Sequence, residues 1–447
     1  MIRVNNIHLS LDYDDKSVRK AVAQQLRIEE KSIKSCKIFR RSVDARKKDN
    51  IYFLTTVDAE LNINEDKVCK KCGNAQIARK YEYNQMKFGN APSPIVVGAG
   101  PAGLFAALIL ARSGANPILI ERGRDVDRRT ADVNRFWTSG QLDTTSNVQF
   151  GEGGAGTFSD GKLNSGTKDI RQRKVLEEFV SHGAPDEILY NAKPHIGTDM
   201  LKGTIKNIRN EIIELGGRVM FETKLVSMAF SDNKLKAITV KTKNGNEIIE
   251  TDNVILAIGH SARDTFEMLY DLKLPIEAKP FSVGARIEHL REKVDKAQYG
   301  RFAGNKKLGS ANYKLSTHLD NGRGVYTFCM CPGGKVVNAS SEKNRLCTNG
   351  MSEFARDADN SNSALLVGIN PVSYTHLTLP TTSRRQRQMC IRDRTRMIMN
   401  PTIRLPECIY RESLNQKHSL PAVKIIMHPY KELTIFLITG NPHISVM

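Results

Sequence analysis

Tryptophan and cysteine are scarce in this sequence of 447 residues, which has one tryptophan and eight cysteines. The cysteines follow no spacing typical of a disulfide framework, so we expect free thiols in a reducing cytoplasm. The first residues, MIRVNNIHLSLDYDD, lack the apolar core of a signal peptide. No internal repeat is visible. These absences favour a cytoplasmic globular protein of two or three domains.

Long apolar runs are also rare. The run IVVGAGPAGLFAALILA at residues 95–111 is apolar, but at 17 residues it is slightly short for a membrane span. It also contains three glycines and a proline. We therefore predict a buried strand, a turn and a helix in this run, and no membrane partner.

Negative charge is in deficit, because the formal net charge is +19. Residues 1–90 carry +7, residues 91–371 carry +5 and residues 372–447 carry +7. The excess of positive charge therefore lies at the two ends. A basic N-terminal region can bind RNA or another polyanion, whereas the more ordinary interpretation is a solvated surface.

The first 88 residues have the pattern of a small α+β module. The predicted elements are a strand at 2–11, a helix at 16–26 and strands at 36–39 and 51–57. This β-α-β-β order predicts an N-terminal module, 1–88, with a ferredoxin-like or similar two-layer fold. Glycine, asparagine and proline residues at 84–94 predict a linker.

From residue 94 onward, strands and helices alternate. Strands are predicted at 95–97, 117–120, 218–221, 234–242, 247–250 and 253–258, and helices at 102–112 and 198–215. This order predicts an α/β Rossmann-type domain over residues 93–265. Residues 266–371 mix strand and turn signals and predict an inserted, mixed α+β domain on the substrate side.

A glycine-rich fingerprint, VGAGPAG, lies between the first of these strands and its helix. Gly98 is predicted to form the tight turn, Gly100 to let a pyrophosphate approach the backbone, and Gly103 to let the helix pack closely on the strand. The intervening residues of the predicted phosphate loop are Ala99, Pro101 and Ala102. The N-terminus of the helix would receive the phosphates.

Glu121 ends the second strand, 18 residues after Gly103. An acidic residue at this position hydrogen-bonds the ribose hydroxyls of the adenosine half of a dinucleotide. The only other GxGxxG, GEGGAG at 151–156, lies in an irregular stretch and not between a predicted strand and a predicted helix, so a separate NAD(P)-binding Rossmann domain is not predicted.

Several segments resemble known flavoprotein oxidoreductases. The run GPAGLFAALILARSGANPILIERG, which includes Arg122, is similar to their FAD-binding strand–turn–helix–strand. The segment 217–259 is similar to their second FAD signature, which implies that Val226 lies along the adenine and Gly259 near the pyrophosphate. The resemblance also implies a second glycine-rich loop beside the flavin, formed by Gly153, Gly154, Ala155, Gly156 and Thr157.

Six further stretches resemble one group of bacterial proteins, the FAD-dependent dehydrogenases or NAD(P)/FAD-dependent oxidoreductases. They are SVDARK at 42–47, NVQFGEGGAGTFSDGKL at 147–163, VILAIGHSARDT at 254–265, KPFSVGARIEH at 279–289, GRGVYTFCMCPGGKVVNAS at 322–340 and NGMSEFARDADNSNSALLVG at 349–368. The resemblance implies hydride transfer through a non-covalently bound FAD to or from an unknown substrate, with NAD(P)H as a candidate electron donor. It assigns no catalytic residue and no metal.

The resemblance ends after Pro371. Residues 372–394 look like translated sequencing adapter, and we interpret 372–447 as an artefactual or unrelated tail. The family segment that this tail replaces would contact the flavin and complete the sheet, so we expect weak FAD binding and exposed strand edges. Two alternatives stay open: RNA or polyanion binding with FAD as a structural element, and a non-functional truncated chimera.

Some side chains have two interpretations. Cys329 and Cys331, in a predicted strand, are either a redox pair or ordinary buried thiols, and the CxxC pair Cys69 and Cys72 is weak support for a metal or redox site. Lys162 follows the second glycine-rich loop and either approaches the flavin or is a surface lysine.

Overall fold

The computed structural model of this protein describes residues 1–79, 82–85, 87, 93–164, 169–276 and 280–369, and the backbone of 424–427 and 434–439. The segment 372–394, interpreted above as an artefact, lies outside the described residues, so that interpretation stays a prediction. Within the described ranges, no helix has the length and hydropathy that crossing a membrane requires.

The N-terminal module is a four-stranded sheet with two helices. Its elements are β1 (Ile2–Leu9), α1 (Asp15–Leu26), β2 (Ile33–Asp44), β3 (Tyr52–Leu61), α2 (Glu65–Lys71) and β4 (Ala75–Ile77). The strands lie in the order β2-β3-β1-β4, and each neighbouring pair is antiparallel. Asp14 accepts a hydrogen bond from the Ser17 N–H at 2.8 Å and so caps α1.

The second part of the chain contains the predicted α/β unit. Its elements are β5 (Ile95–Val97), α3 (Pro101–Arg112), β6 (Ile118–Ile120), α4 (Val126–Ser139), α5 (Gln172–Ser181), α6 (Thr198–Glu214), β7 (Arg218–Met220), β8 (Lys224–Ser231), β9 (Lys234–Thr242), β10 (Gly245–Glu250), β11 (Asn253–Leu256) and α7 (Arg263–Asp271). The strands β11, β5, β6 and β7 are parallel neighbours in that order. The prediction of a strand, a turn and a helix in residues 95–111 is therefore confirmed.

The two faces of this parallel sheet are covered by different partners. Val96 points into a core formed with helices α3 and α6, to which Leu108 and Ile208 belong. Ile95 and Val97 point the other way, into a core shared with α7 and with the antiparallel meander β8-β9-β10. Successive strand residues face opposite sides, so a strand that is covered on both faces is apolar throughout, as β5 is.

The inserted domain consists mainly of antiparallel strands. Its elements are β12 (Phe281–Leu290), α8 (Arg291–Tyr299), β13 (Ser316–His318), β14 (Gly324–Cys331), β15 (Gly334–Asn338), β16 (Thr348–Ser352) and β17 (Asn360–Ile369). One sheet has the order β12-β17-β14-β13, and β15 and β16 form a separate hairpin.

Two strands of the tail join the parallel sheet. They are β18 (Lys424–Met427) and β19 (Thr434–Thr439), which pair with each other, and β19 also pairs antiparallel with β11. The sheet therefore has six strands in the order β18-β19-β11-β5-β6-β7. The expectation of an exposed edge is wrong for β11, because β19 occupies the hydrogen-bonding side of β11 that faces away from β5.

The core of the N-terminal module is not confined to that module. Its buried side chains, Val4 and Val22 among them, belong to one apolar cluster with Tyr299, Leu308 and Met330 from the inserted domain. The two regions are more than 200 residues apart in the sequence. The module and the inserted domain are thus stabilised by a common core.

This common core gives a first prediction. Leu308 is 8% exposed, so Leu308→Ala should lower the free energy of unfolding by about 2–4 kcal/mol through lost burial and a residual cavity. Hydrogen exchange should also become faster in β1 and β3. The control is Leu319→Ala, at a leucine that is 44% exposed, which should change stability by less than about 0.5 kcal/mol. Unchanged exchange in β1 and β3 would contradict the common core.

Candidate dinucleotide-binding site

The first glycine-rich loop joins β5 to α3 at the carboxyl edge of the parallel sheet. Gly98 has φ +102°, and a Cβ there would lie 2.4 Å from the Ala257 carbonyl oxygen. A Cβ on Gly103 would lie 1.8 Å from the carbonyl oxygen of Gly98. Both positions therefore require glycine, one for the turn and the other for the close approach of α3.

None of the described residues forces glycine at Gly100. The nearest described atom to a Cβ there would be the Gly154 Cα, at 3.9 Å, which is an ordinary van der Waals contact and leaves room beside this residue. Gly100 is also the N-cap of α3, and Pro101 occupies the first turn of this helix. The open space thus lies at a helix N-terminus, where backbone N–H groups and the helix dipole favour an anion.

Glu121 is buried and joins three loops. Its Oε2 accepts a hydrogen bond from the Ala99 N–H at 2.8 Å, and its Oε1 accepts from the N–H groups of Gly123 and Gly151 at 2.9 and 3.0 Å. A carboxylate offers about four acceptor positions. About one position is therefore left for a ribose hydroxyl, and the main interactions of Glu121 in this structure are with the backbone of the site.

The second glycine-rich loop contacts the first. Gly153 donates to the Ala99 carbonyl oxygen at 2.7 Å, and a Cβ on Gly154 would lie 3.0 Å from the Gly100 Cα. Residues Gly154–Phe158 form a short 3-10 helix in which Ala155 and Gly156 are half-buried and Thr157 is buried. A Cβ on Gly156 would meet nothing within 4 Å. The two predicted loops therefore lie together, with open space beside both.

Arg129, on α4, was not predicted, and it organises the second loop. Its guanidinium is fully buried and donates to the carbonyl oxygens of Asn147, Val148, Glu152 and Gly154. Burial lowers its pKa to about 10, so the side chain remains charged at neutral pH. Once residues 126–139 are known to be a helix, the helical period places Arg129 on the same face as the buried Val126 and Val133, but the mainly polar sequence gives little sign of that helix.

Glu152 connects the second loop to two helices. Its Oε2 accepts from the Val126 N–H at 2.7 Å, which caps α4, and it forms an ion pair with Arg209 of α6 at 2.9 Å. The side chain is completely buried, and burial raises the pKa of Glu152. The loop is thus fixed by two buried charges of opposite sign, Arg129 and Glu152.

Arg122 was predicted to contact the cofactor, and the structure gives it internal partners. Its guanidinium forms hydrogen bonds with both oxygens of Asp264, at 2.9 and 3.2 Å, and lies over the Phe150 ring. Although burial opposes ionisation of Asp264, hydrogen bonds from Arg122 and Lys224 lower its pKa to about 2. Arg122 therefore joins β6 to the first turn of α7, on the same edge of the sheet as the two loops.

The other two predicted cofactor-binding residues, Gly259 and Val226, lie in different parts of the α/β unit. Gly259 follows β11 at the same carboxyl edge as Gly98 and has φ +68°, and a Cβ there would meet nothing within 4 Å. Val226 is half-buried in β8, at an irregularity between Leu225 and Ser227 in the pairing with β9. Gly259 is thus part of the edge that carries the loops, whereas Val226 belongs to the meander.

A buried ion pair joins the second loop to the inserted domain. Arg356 donates from two nitrogens to both oxygens of Asp160, which is 1% exposed. His195 lies beside this pair, with its ring stacked on Phe354 and its Nε2 3.0 Å from the Phe354 carbonyl oxygen. Burial and the charge of Arg356 lower the pKa of His195 to about 4.

The CxC pair lies at the same junction. Cys331 is buried, and its thiol donates to the Cys329 carbonyl oxygen at 3.2 Å. The hydrogen bond with Cys329 and burial raise the pKa of the Cys331 thiol. A thiol that stays protonated is a poor nucleophile, so the chemistry favours the buried-thiol interpretation over the redox pair.

Comparison with known families agrees with this site. A family model described as "FAD binding domain" matches residues 93–133, which include the first loop and Glu121. A model described as "FAD-dependent protein, C-terminal domain-like" matches residues 280–419, so that match extends past Pro371 into the tail. Residues 1–60 match a domain of unknown function.

A close relative is also known. An uncharacterized protein of Clostridium beijerinckii is 48% identical over 379 residues, which cover 83% of this chain and 70% of the relative. This protein therefore belongs to the same family, a family of bacterial FAD-dependent proteins.

Solved structures of flavoproteins resemble the chain more distantly. A triple mutant of a flavin-dependent brominase is 12% identical with a TM-score of 0.33, and covers 68% of this chain. A flavoprotein/dehydrogenase from Cytophaga hutchinsonii is 15% identical with a TM-score of 0.30, and covers 67%. The chain spans only 64% and 60% of these two proteins. These scores are too low to support a functional inference.

The open space beside Gly100 gives a second prediction. Gly100→Val should abolish FAD binding, because the side chain would fill the space that the pyrophosphate needs. FAD titration can be followed by quenching of Trp137, the single tryptophan, which packs against Phe158 of the second loop. The control is Gly203→Ala in α6, where a Cβ meets nothing within 4 Å and binding should be unchanged. Normal affinity in the valine variant would count against the site.

A third prediction concerns Arg129. Arg129→Leu leaves several buried carbonyl groups without a donor, and it should lower the free energy of unfolding by at least about 3 kcal/mol. Urea unfolding measures this change. The matched control is Arg128→Leu on the same helix, whose side chain is 53% exposed and pairs at the surface, with an expected loss below about 1 kcal/mol. Equal losses in the two variants would reject the role of Arg129.

A fourth prediction follows from the lowered pKa of His195. Between pH 6.5 and pH 4 the unfolded chain protonates His195 and the folded chain does not, so stability should fall as the pH is lowered through this range. His195→Gln keeps a donor for the Phe354 carbonyl oxygen but does not titrate, so its stability should fall less steeply. His318→Gln, at an exposed histidine, should follow the wild type. Parallel curves for wild type and His195→Gln would contradict the prediction.

Proposed function

We propose that the protein is an FAD-dependent oxidoreductase that transfers hydride to or from a small-molecule substrate, in the cytoplasm and with NAD(P)H as the electron donor. The observation that carries the proposal is the open space beside Gly100. This space lies at the N-terminus of α3 and against a second glycine-rich loop. The flavin, when bound, supplies the hydride chemistry.

The residues present fit FAD. The first-turn N–H groups of α3 would bind the pyrophosphate, since no side chain of the described residues lies within 4 Å of a Cβ on Gly100. Glu121 has about one acceptor position left for a ribose hydroxyl. The loop Gly154–Phe158 would lie beside the flavin, where Gly156 presents open space. The rigidity of this loop, which Arg129 and Glu152 fix, would orient the cofactor and exclude water from its surroundings.

We further propose that the N-terminal module is ferredoxin-like. The strand order β2-β3-β1-β4, the antiparallel pairing and the β-α-β-β-α-β sequence of elements support this assignment. The module shares its core with the inserted domain, so we assign it a structural role in holding that domain.

The fifth prediction tests the proposed function. Protein in equilibrium with excess FAD should show the altered absorption spectrum of a bound flavin, and anaerobic addition of NADH or NADPH should bleach it. Gly100→Val, under the same conditions, should leave the spectrum of free FAD unchanged. A wild-type chain that leaves the spectrum of free FAD unchanged would reject the cofactor. A bound flavin that dithionite reduces and neither nicotinamide reduces would reject NAD(P)H as the donor.

A further inference from the structure

Lys162 lies where the second glycine-rich loop meets the inserted domain. It is six residues after Gly156, and its backbone forms a β-bridge with His195. The next residue, Leu163, donates to the Pro194 carbonyl oxygen at 3.0 Å. The backbone of Lys162 is thus fixed on the segment that precedes α6.

The ammonium group of Lys162 forms an ion pair with a buried carboxylate. Its Nζ lies 2.6 Å from Asp160, whose side chain is 0% exposed and which Arg356 already engages from two nitrogens. Cys331 is also buried, and its Sγ lies 3.7 Å from the Lys162 Nζ. Asp160 therefore fixes the position of the ammonium group.

Part of the Lys162 side chain is accessible. The side chain keeps 30% of its surface exposed, although the atoms that it contacts are buried. An ammonium group has three N–H donors, and the partners described for it are Asp160 and the weak acceptor Cys331. One donor therefore has no partner among the described residues. An ordinary surface lysine differs, since its partner is also exposed and its position is variable.

The charges at this junction do not balance. Asp160 is one negative charge facing two positive charges, Lys162 and Arg356. Burial and the charge of Arg356 lower the pKa of Lys193, which lies two residues before His195. Although burial opposes the charge of Lys162, the carboxylate of Asp160 raises its pKa, so it stays protonated. Among the described residues, the ion pairs at this junction thus contain one more positive charge than negative charge.

We propose that Lys162 is the anchor for a carboxylate group of the substrate, with Asp160 as the residue that positions its ammonium group. The substrate is then an organic acid anion. This proposal rests on the proposed function, because it places the substrate beside the loop that would face a bound flavin. A single ammonium donor matches a singly charged carboxylate, whereas phosphates are held by several backbone N–H groups or by the guanidinium fork of arginine.

The test uses butyrate as the probe, with butyramide as its uncharged analogue and inorganic phosphate as the competing anion. Binding to the full chain is followed by Trp137 emission with and without FAD, and by the absorbance of bound flavin. Trp137 packs against Phe158, four residues before Lys162. Lys162→Met should weaken butyrate binding by about tenfold or more, since a hydrogen bond to a charged group is lost.

Two further variants distinguish loss of the Lys162 charge from a general effect of substituting a lysine. Lys162→Arg keeps the charge and should keep butyrate binding, whereas Lys335→Met, at an exposed lysine of β15, should bind as the wild type does. Thermal unfolding of each variant reports whether it is folded. If Lys162→Met does not fold, loss of butyrate binding in a folded Lys162→Gln decides instead.

Several results would overturn the proposal. They are equal butyrate binding by wild type and the folded variants, equal responses to butyrate and butyramide, and tighter binding of phosphate than of butyrate. A chain that binds no FAD would reject the proposed function. In that case the titration of Trp137 emission without FAD still decides whether Lys162 holds a carboxylate.

Discussion

The candidate site depends on one buried carboxylate. Glu121 accepts hydrogen bonds from three backbone N–H groups, those of Ala99, Gly123 and Gly151. These groups belong to three separate segments of the site. Because hydrogen bonds to an ionised acceptor are about twice as strong as neutral ones, a single carboxylate can fix all three segments. The shape of the space beside Gly100 follows from this arrangement.

Two further buried charges extend this organisation. Arg129 donates to the carbonyl oxygens of the second loop, and Glu152 binds the N-terminus of α4 and Arg209. Burying a charge is costly unless it is paired or hydrogen-bonded. Here the partners are mostly backbone groups of the second loop and of the N-terminus of α4. The charges therefore add contacts that hold this glycine-rich loop in place.

The sequence is informative where a motif is local and much less so where a contact is distant. The turn from β5 to α3 is recognisable because the positions of three glycines within six residues determine it. The internal role of Arg122 is not recognisable, because its partner Asp264 is 142 residues away. Helix α4 is hard to predict for another reason. Its sequence VDRRTADVNRFWTS is mainly polar, and Arg129 faces the core where an apolar residue is expected.

The common core of the N-terminal module and the inserted domain has a consequence for biosynthesis. The first 79 residues leave the ribosome early, but the side chains of Tyr299, Leu308 and Met330 that complete their core are made more than 200 residues later. Contacts of such long sequence separation form slowly, because chain entropy must be lost before they can stabilise the fold. The nascent module therefore exposes the apolar surface that these side chains later cover until they have been synthesised.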